Sequence, residues 1–323
     1  MSFTKLQRRE FLKATALTGS LIGLGIAQAQ EATKVLVGFP AGGAIDLTAR
    51  VYAEAIKEFG SLIVDNRPGA AGNIAATALG QSRPDGKTIM FAPVNVYCIS
   101  QILYPKLPFD VSRDFMPVGI VARFPWSLAV NPNIPAKNFQ EFATWLKANP
   151  DKAICGMAAI GSEGHLMAYA LSRAIGVNFT FAQYKGGAPM AQDLMAGHIP
   201  FAFDPVANLA EPHKSGKVRM LAVTSIDRSV LLPEVPTFQE LGLRSVTGDT
   251  WIGVSVKNGT SQSQIQSIST ALADASSKPD LQTKLVSRGL STVAASPTVM
   301  AKAIETDSAK YSSLIKDMGL KLE

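Results

Sequence analysis

Short, continuous apolar segments that alternate with helical patterns constrain the fold of this 323-residue chain more than any other feature. Residues 34–39 form the first such segment, and a Pro-Gly turn leads from it into a helical pattern at residues 46–58. Strand-like segments follow at residues 61–65 and 88–92, with a loop and another helix between them. Such strands are typical of a buried parallel sheet covered by helices, so the sequence predicts an α/β fold.

The pattern begins again in the second part of the chain, which predicts a second α/β lobe. The further strand-like segments are residues 126–130, 153–156, 178–183, 201–203, 218–224 and 251–256, and helices are predicted at residues 139–148 and 164–175. We predict that residues 30–127 and 251–323 form lobe 1 and that residues 128–250 form lobe 2. Two lobes of this kind hold a ligand in the cleft between them and close by hinge motion.

The N-terminal 29 residues have the composition of an export signal. Arg8 and Arg9 precede an apolar run at residues 14–27, and Ala27-Gln28-Ala29 matches a signal-peptidase site. The alternative is a membrane anchor, but the run is shorter than the roughly 20 residues needed to span a bilayer. We predict a cleaved twin-arginine signal and a periplasmic protein.

Charge and composition exclude several classes of function. The formal charge is +6, but four basic residues and one acidic residue lie in the signal, which leaves about +3. Aromatic residues make up 7% of the chain and no basic stripe is present, so a nucleic-acid partner is not expected. Cys98 and Cys155 cannot form a zinc site alone. They are expected to be two buried free thiols, although an oxidising compartment would permit a disulfide.

Enzyme motifs are absent from the sequence, so no cofactor and no metal are predicted. His165, His198 and His213 lack the spacing of metal ligands. Ser162 lies three residues before His165, which leaves a secreted serine hydrolase with Asp204 or Asp46 as its acid as one alternative. The simpler interpretation is that Ser162 caps a helix and that His165 packs against a strand. A redox enzyme is a third class, because twin-arginine export often serves cofactor proteins, but it would need a cofactor motif.

A binding function has better support, because four predicted strand-to-helix loops are rich in glycine and small residues. The candidate ligand-binding residues in or beside these loops are Phe39, Pro40, Ala41, Gly42, Gly43, Ala44, Asp46, Ala159, Ile160, Gly161, Ser162, His165, Lys185, Gly186 and Asp204. In an open parallel sheet these loops lie at the carboxyl ends of the strands, where ligands bind. Each loop also ends at a helix N-terminus, whose free N–H groups attract an anion. The sequence therefore predicts a carboxylate site that needs no arginine.

The charged candidates each have a structural alternative. Asp46 either caps the first helix or pairs with Arg50, four residues on, or it contacts the ligand. Asp204 precedes Pro205 and resembles a helix N-cap, or it accepts a hydrogen bond from the ligand. Lys185 either supplies positive charge to the site or is a solvated lysine beside it.

Several motifs in order resemble those of the periplasmic solute-binding proteins of tripartite tricarboxylate transporters, the Bug family. The motifs are Phe39-Pro40-Ala41-Gly42-Gly43 with Asp46, residues 65–74, Pro84-Asp85-Gly86, residues 103–110, Gly161-Ser162 with His165-Leu166, Tyr184-Lys185-Gly186, Phe203-Asp204, residues 221–224 and residues 233–237. The resemblance covers residues 34–320. It implies a two-lobed venus-flytrap fold of the type II periplasmic-binding-protein kind, a monomer without catalysis, and delivery of a small organic acid to membrane permease subunits.

The resemblance also implies how the ligand is held and where this chain departs from the pattern. Backbone N–H groups and ordered water from residues 39–44 and 159–165 are expected to bind the carboxylate of a dicarboxylate, a tricarboxylate or an aromatic acid such as terephthalate. Ala159 stands where glycine is common. Trp126 either belongs to the core or stacks on an aromatic acid, and Glu163 is expected to point to solvent so that it does not repel the ligand.

Overall fold

The computed structural model describes residues 32–157, 161–184 and 186–321. Its strands are β1 (Thr33–Val37), β2 (Leu62–Asn66), β3 (Thr88–Pro93), β4 (Phe115–Phe124), β5 (Trp126–Val130), β6 (Ile154–Met157), β7 (Thr180–Gln183), β8 (Phe201–Pro205), β9 (Arg219–Val223), β10 (Thr250–Lys257) and β11 (Ser291–Ala295). Its α-helices are α1 (Ala44–Ala55), α2 (Asn73–Gly80), α3 (Ser100–Leu103), α4 (Val111–Asp114), α5 (Phe139–Ala148), α6 (Glu163–Ile175), α7 (Gly187–Ala196), α8 (Val206–Lys214), α9 (Gln262–Ser276), α10 (Pro279–Val286) and α11 (Pro297–Met318), and a π-helical turn (Asn95–Ile99) precedes α3.

The strands form two mixed sheets, one in each lobe. The first sheet has the order β11-β4-β10-β3-β1-β2 and the second has the order β7-β6-β8-β5-β9. Strands β1, β2 and β3 are parallel, as are β6, β7 and β8, but β10 is antiparallel to β3 and β4, and β5 is antiparallel to β8 and β9.

The predicted parallel arrangement is confirmed for β1, β2 and β3 and for β6, β7 and β8. It does not hold for β11, which is antiparallel to β4, or for the strands at which the chain changes lobe. Strand β4 ends at Phe124 in the first sheet, and β5 begins two residues later, at Trp126, in the second. The chain returns over residues 224–249 into β10. Both β5 and β10 are entered from the other lobe rather than through a crossover helix, which is the connection that makes successive strands parallel.

Each sheet is buried between two layers of helices. In β1, Val35 packs with residues of α1 and α9 on one face, and Leu36 packs with residues of α2 and α11 on the other. In β8, Phe203 belongs to the cluster that includes α5 and α6, whereas Ala202 belongs to the cluster that includes α7 and α8. Successive side chains point to opposite faces of a strand, so these apolar runs are continuous because both faces are covered.

The structure confirms the expectation for the two cysteines and places Trp126 in the core, the first of its two alternatives. Cys98 and Cys155 are both free and buried, Cys98 in the π-helical turn after β3 and Cys155 within β6. Trp126 is buried in the core, where its ring lies beside the rings of Phe124 and Phe203. Within the described ranges, no helix is both long enough and apolar enough to cross a bilayer.

Candidate functional site

The carboxyl ends of the parallel strands in the two sheets face each other. Asn95, just after β3, donates from Nδ2 to the carbonyl oxygen of Gly161 at 3.2 Å, and its Oδ1 accepts from the N–H of Glu163 at 3.0 Å. Gly161 and Glu163 follow β6, so these hydrogen bonds join the two carboxyl edges directly. Ligands of open α/β sheets bind at such edges, which makes the space between them the candidate site.

The helices that begin at these edges have few side-chain caps. The residues before α1, α2, α7 and α8 are Gly43, Gly72, Gly186 and Pro205, and no side chain of the described residues caps any of these four helices. Elsewhere, side chains cap four helices: Asp110 caps α4, Asn138 caps α5, Ser261 caps α9 and Ser296 caps α11. Helix α3 continues the π-helical turn, and α10 begins with Pro279. The N–H of Asn73 donates to the carbonyl oxygen of Ala70, and the N–H of Val206 donates to that of Pro125 at 3.0 Å. The other first-turn N–H groups of these four helices have no side-chain cap in the described part of the chain and are left for another acceptor.

Asp46 fixes the shape of the first loop. Its carboxylate accepts from the N–H of Gly42 at 2.8 Å, from Nε of Arg50 at 3.0 Å and from Nδ2 of Asn66 at 2.8 Å. Burial alone would raise the pKa of Asp46, but these hydrogen bonds outweigh it and lower the pKa. The pairing with Arg50 was one of the two structural interpretations of Asp46. Asn66 also donates to the carbonyl oxygen of Phe39, so both ends of the loop are tied.

The first loop presents small residues to the cleft. Phe39 and Ala44 are half-buried, and the four residues between them (Pro40, Ala41, Gly42 and Gly43) are exposed. Gly42 has φ +86°, a conformation that favours glycine, whereas Gly43 has φ −76°, and a Cβ there would lie 3.5 Å from the carbonyl oxygen of Pro40. The backbone therefore does not require glycine at position 43.

In the second lobe, the simpler interpretation of Ser162 and His165 is confirmed. Oγ of Ser162 accepts from the backbone N–H of His165 at 3.2 Å and caps α6. The imidazole of His165 is buried with its ring perpendicular to that of Phe181, with centroids 4.4 Å apart. Its Nδ1 accepts from the N–H of Gly161 at 3.1 Å, and burial lowers the pKa of His165 to about 4. Ala159 and Ile160 lie outside the described residues.

This arrangement does not form a hydrolytic triad. The Ser162 hydroxyl is bonded to the backbone of His165 and not to its ring, and the described part of the chain contains no carboxylate bonded to that ring. No group of side chains that could hold a metal ion occurs among the described residues either. The serine-hydrolase alternative therefore lacks the geometry that it requires.

Asp204 is a buried carboxyl group within β8, and the prediction that it is a helix N-cap was wrong. Strand β8 extends through Pro205, which pairs with Trp126 and is itself the residue before α8. Oδ2 of Asp204 accepts from Nδ2 of Asn208 at 2.7 Å, and Oδ1 has no partner among the described residues. Burial raises the pKa of Asp204 to about 7.

The start of α7 lies against this carboxyl group. Gly186 has φ +113°, and a Cβ on Gly187 would lie 3.0 Å from Oδ2 of Asp204 and 2.8 Å from Nδ2 of Asn208. Glycine is therefore needed here for the close approach of the helix. Lys185 lies outside the described residues.

The expectation that Glu163 points to solvent was wrong. Its side chain is buried, and its carboxylate accepts hydrogen bonds from the hydroxyl groups of Thr250 and Tyr311. The indole of Trp126 donates to Oγ1 of Thr250 at 2.7 Å and leaves no room for a Cβ at Gly164. Glu163 does lie in the first turn of a helix, as predicted, but side chains from distant parts of the chain cover that turn.

Buried polar atoms without a hydrogen-bond partner gather at the same edges. In the described part of the chain they belong to Asn73, Asp204, Ser225, Thr247 and Asp249, all close to the carboxyl edges, and to Ser100, which is not. Burial raises the pKa of Asp249 to about 6. Most buried polar groups in proteins are paired, so such a concentration is typical of a functional region. Asn73 lies in the motif at residues 65–74 but was not named as a candidate site residue, and the sequence patterns gave no signal for Ser225, Thr247 or Asp249.

The chain is similar to a family of transport receptors. Residues 48–320 match the family described as the tripartite tricarboxylate transporter family receptor. The chain is 30% identical over 288 residues to the "UPF0065 protein in tcbD-tcbE intergenic region" of Pseudomonas sp., a match that covers 88% of this chain and 85% of that protein.

Solved structures of similar proteins show the same fold with small acids. The structure of Rpa4515 of R. palustris with adipate has a TM-score of 0.82 at 29% identity, covering 90% of this chain and 98% of that one. MatC from Rhodopseudomonas palustris with bound malate has a TM-score of 0.77 at 27% identity, covering 88% and 99%. The chain therefore belongs to the tripartite tricarboxylate transporter receptor family, and it is a periplasmic solute-binding receptor rather than an enzyme.

Proposed function

We propose that this receptor captures a small dicarboxylate in the cleft between its lobes and delivers it to membrane permease subunits. The observation that carries the proposal is the absence of side-chain caps on α1, α2, α7 and α8 within the described residues. Helix N-termini of this kind stabilise a carboxylate by N–H hydrogen bonds and by the helix dipole, with no need for an arginine.

The distribution of these helices favours a ligand with two acidic groups. Helices α1 and α2 belong to the first lobe, and α7 and α8 belong to the second, so each lobe offers N–H groups to one end of the ligand. Adipate and malate, the acids in the two similar structures, are both dicarboxylates. Tricarboxylates and aromatic acids such as terephthalate are alternative outcomes of the test below.

The proposed contacts come from loops of both lobes. In the first lobe they are the residues from Phe39 to Ala44, and in the second they are Gly161, Ser162 and Gly186, together with Ala159, Ile160 and Lys185. Asp46, His165 and Asp204 hold these loops in position without contacting the ligand. All three are buried, and they accept hydrogen bonds from Gly42, Gly161 and Asn208, respectively.

A thermal-shift series tests the ligand class. Adipate, malate, terephthalate and citrate are compared at equal concentration, and the diamide of adipic acid is the matched control because it keeps the length but lacks the charges. A ligand that binds only the folded state, at a free concentration of about 100 times its Kd, stabilises that state by about 2.7 kcal/mol. We expect a dicarboxylate to raise the Tm and the diamide to have no effect. Equal shifts with the acid and the diamide, or no shift with any acid, contradict the proposal.

We also propose that the chain is exported by the twin-arginine route, cleaved after Ala29 and active as a monomer. The lobes expected from the sequence are residues 30–127 with 251–323 and residues 128–250; because Trp126 and Ser127 belong to β5 of the second sheet and Thr250 belongs to β10 of the first, we propose that both crossings lie one or two residues earlier. Arg8 and Arg9 with the site at residues 27–29 support the export route. Mass spectrometry of the periplasmic protein is expected to find Gln30 at the N-terminus, and Arg8→Lys with Arg9→Lys is expected to abolish export. Export that persists in this variant would exclude the twin-arginine route.

A further inference from the structure

Helix α6 of the second lobe is fastened to the first lobe by a group of polar residues that we name the interlobe bridge. It consists of Asn95, Glu163, Thr250 and Tyr311. Asn95 holds the backbone on both sides of Ser162, through the carbonyl oxygen of Gly161 and the N–H of Glu163. The carboxylate of Glu163 accepts from the hydroxyls of Thr250 and Tyr311.

All four residues of the interlobe bridge are buried. Glu163 and Thr250 are 2% exposed, Tyr311 is 1% exposed and Asn95 is 8% exposed. A buried carboxyl group is costly unless it is hydrogen-bonded, and here each oxygen has its own hydroxyl donor. Of the nearby charged groups, Lys310 stabilises the carboxylate and Asp307 opposes it. Such a group is satisfied only while all its partners stay in place.

The partners of Glu163 come from segments that are far apart in the chain. Thr250 is the first residue of β10, where the chain re-enters the first lobe, and it also accepts from Trp126, the first residue of β5. Tyr311 belongs to α11, and Asn95 begins the π-helical turn, a feature often found at functional sites. The bridge therefore ties both lobe crossings and the C-terminal helix to the start of α6.

We propose that the interlobe bridge holds the lobes together before any ligand arrives, and that Glu163 is the positioning residue that sets the fraction of ligand-free protein in this bridged arrangement. Only a protein whose two lobes are in place offers both halves of the site. The apparent Kd is then the intrinsic Kd divided by the bridged fraction, so a residue that touches no ligand controls affinity. This inference goes beyond the proposed function, because it concerns the ligand-free protein.

The decisive experiment measures the lobe arrangement without ligand. Dyes on Lys57→Cys and Lys217→Cys, exposed positions on opposite lobes, report their separation by single-molecule energy transfer, and the buried native thiols of Cys98 and Cys155 do not label. We expect one population in the otherwise wild-type protein and a second population with a changed separation in Glu163→Ala. We expect Glu163→Gln to restore the first population, because the amide can accept from Thr250 and donate to Tyr311.

Two single-hydroxyl variants keep the inference testable if Glu163→Ala does not fold. Thr250→Val and Tyr311→Phe each remove one donor and are expected to shift the populations in the same direction. Tyr169→Phe is the matched control, because the hydroxyl of half-buried Tyr169 also joins α6 to α11, through the carbonyl oxygen of Asp317 at 3.1 Å, but in an exposed hydrogen bond. Wild-type populations in Thr250→Val, Tyr311→Phe and any folded Glu163→Ala protein would overturn the inference.

Calorimetry with adipate measures how the bridged fraction affects the apparent Kd for the ligand. A roughly tenfold lower bridged fraction predicts a roughly tenfold higher apparent Kd. An unchanged Kd alongside a shifted population would contradict the link between the bridge and affinity. If adipate does not bind the wild-type protein, the choice of ligand is wrong, while the energy-transfer result still decides whether the bridge exists.

Discussion

His165 shows at the scale of one residue how burial adapts a titratable group to a structural task. Its Nδ1 must stay unprotonated to accept from the N–H of Gly161, and the surrounding apolar contacts, including the ring of Phe181, disfavour the charged form. The imidazole thus orients the loop before α6 without taking part in chemistry.

The lowered pKa of His165 predicts a pH dependence of stability. The folded state takes up this proton at a pKa of about 4 and the unfolded state at about 6.5, so stability falls as pH decreases through this window, by up to about 3 kcal/mol. Urea unfolding between pH 4 and 8 measures the slope. His165→Asn keeps an acceptor near Gly161. The free energy of unfolding of the wild type minus that of this variant is expected to decrease as pH falls through the window.

Asp204 and Asp249 titrate in the same range with the opposite sign, because burial raises the pKa of each carboxyl group. They are present in both proteins, so the difference between wild type and His165→Asn isolates the histidine. Parallel pH profiles of the two proteins would show that His165 is not held neutral.

At the scale of the element, a substitution at the start of α1 is expected to weaken ligand binding without lowering the stability of the fold. Gly43 has the extended conformation of a helix N-cap, and its Cβ position is free, so aspartate can occupy it and cap the helix. The same carboxylate would take the N–H groups that we assign to the ligand and would repel the ligand's own charge.

We predict that Gly43→Asp leaves the free energy of unfolding unchanged or slightly increased, by a few tenths of a kcal/mol, while the affinity for adipate falls about tenfold or more. Calorimetry and urea unfolding measure the two quantities. Ser261→Asp is the control, because it adds the same charge at the N-cap of α9, away from the cleft. Wild-type affinity in Gly43→Asp would remove α1 from the site.

Elements that depend on local patterns could be predicted from the sequence. Helix α5 and strand β5 have the predicted bounds, because each has a clear apolar pattern with residues at its ends that interrupt it: Asn138 and Asn149 for α5, and Pro125 and Asn131 for β5. The Asp46–Arg50 pair and the Ser162 cap also follow from spacings of three or four residues.

Features that depend on distant partners were missed. Strand β11 was not predicted, because its five residues are exposed or half-buried at the edge of the sheet and lack a continuous apolar run. Glu163 was expected in solvent because a carboxylate that faced the cleft would repel an acidic ligand. Its observed partners, Thr250 and Tyr311, are 87 and 148 positions away in the sequence. Single-sequence periodicity contains no information on such pairs.

At the scale of the whole molecule, each lobe contains one buried thiol that reports on its opening. Cys98 is in the first lobe and Cys155 is in the second, and burial raises the pKa of Cys98 to about 12 and the pKa of Cys155 still higher. Neither thiol should react with a thiol reagent until its own lobe opens locally or unfolds.

We predict that a ligand held by both lobes slows the labelling of both thiols. Adipate at saturation should lower both rates by a similar factor, measured by mass spectrometry after proteolysis, because opening either lobe then requires loss of the ligand. Adipamide is the control and should protect neither. Protection of Cys98 alone would mean that the ligand is held by the first lobe only.

The most direct test of the account is a crystal structure of the receptor with the dicarboxylate that gives the largest thermal shift. We predict that one carboxylate accepts, directly or through water, from first-turn N–H groups of α1 or α2 and that the other accepts from those of α7 or α8. A ligand that lies away from these helix starts, or whose carboxylates are held by arginine or lysine side chains instead, would contradict the account.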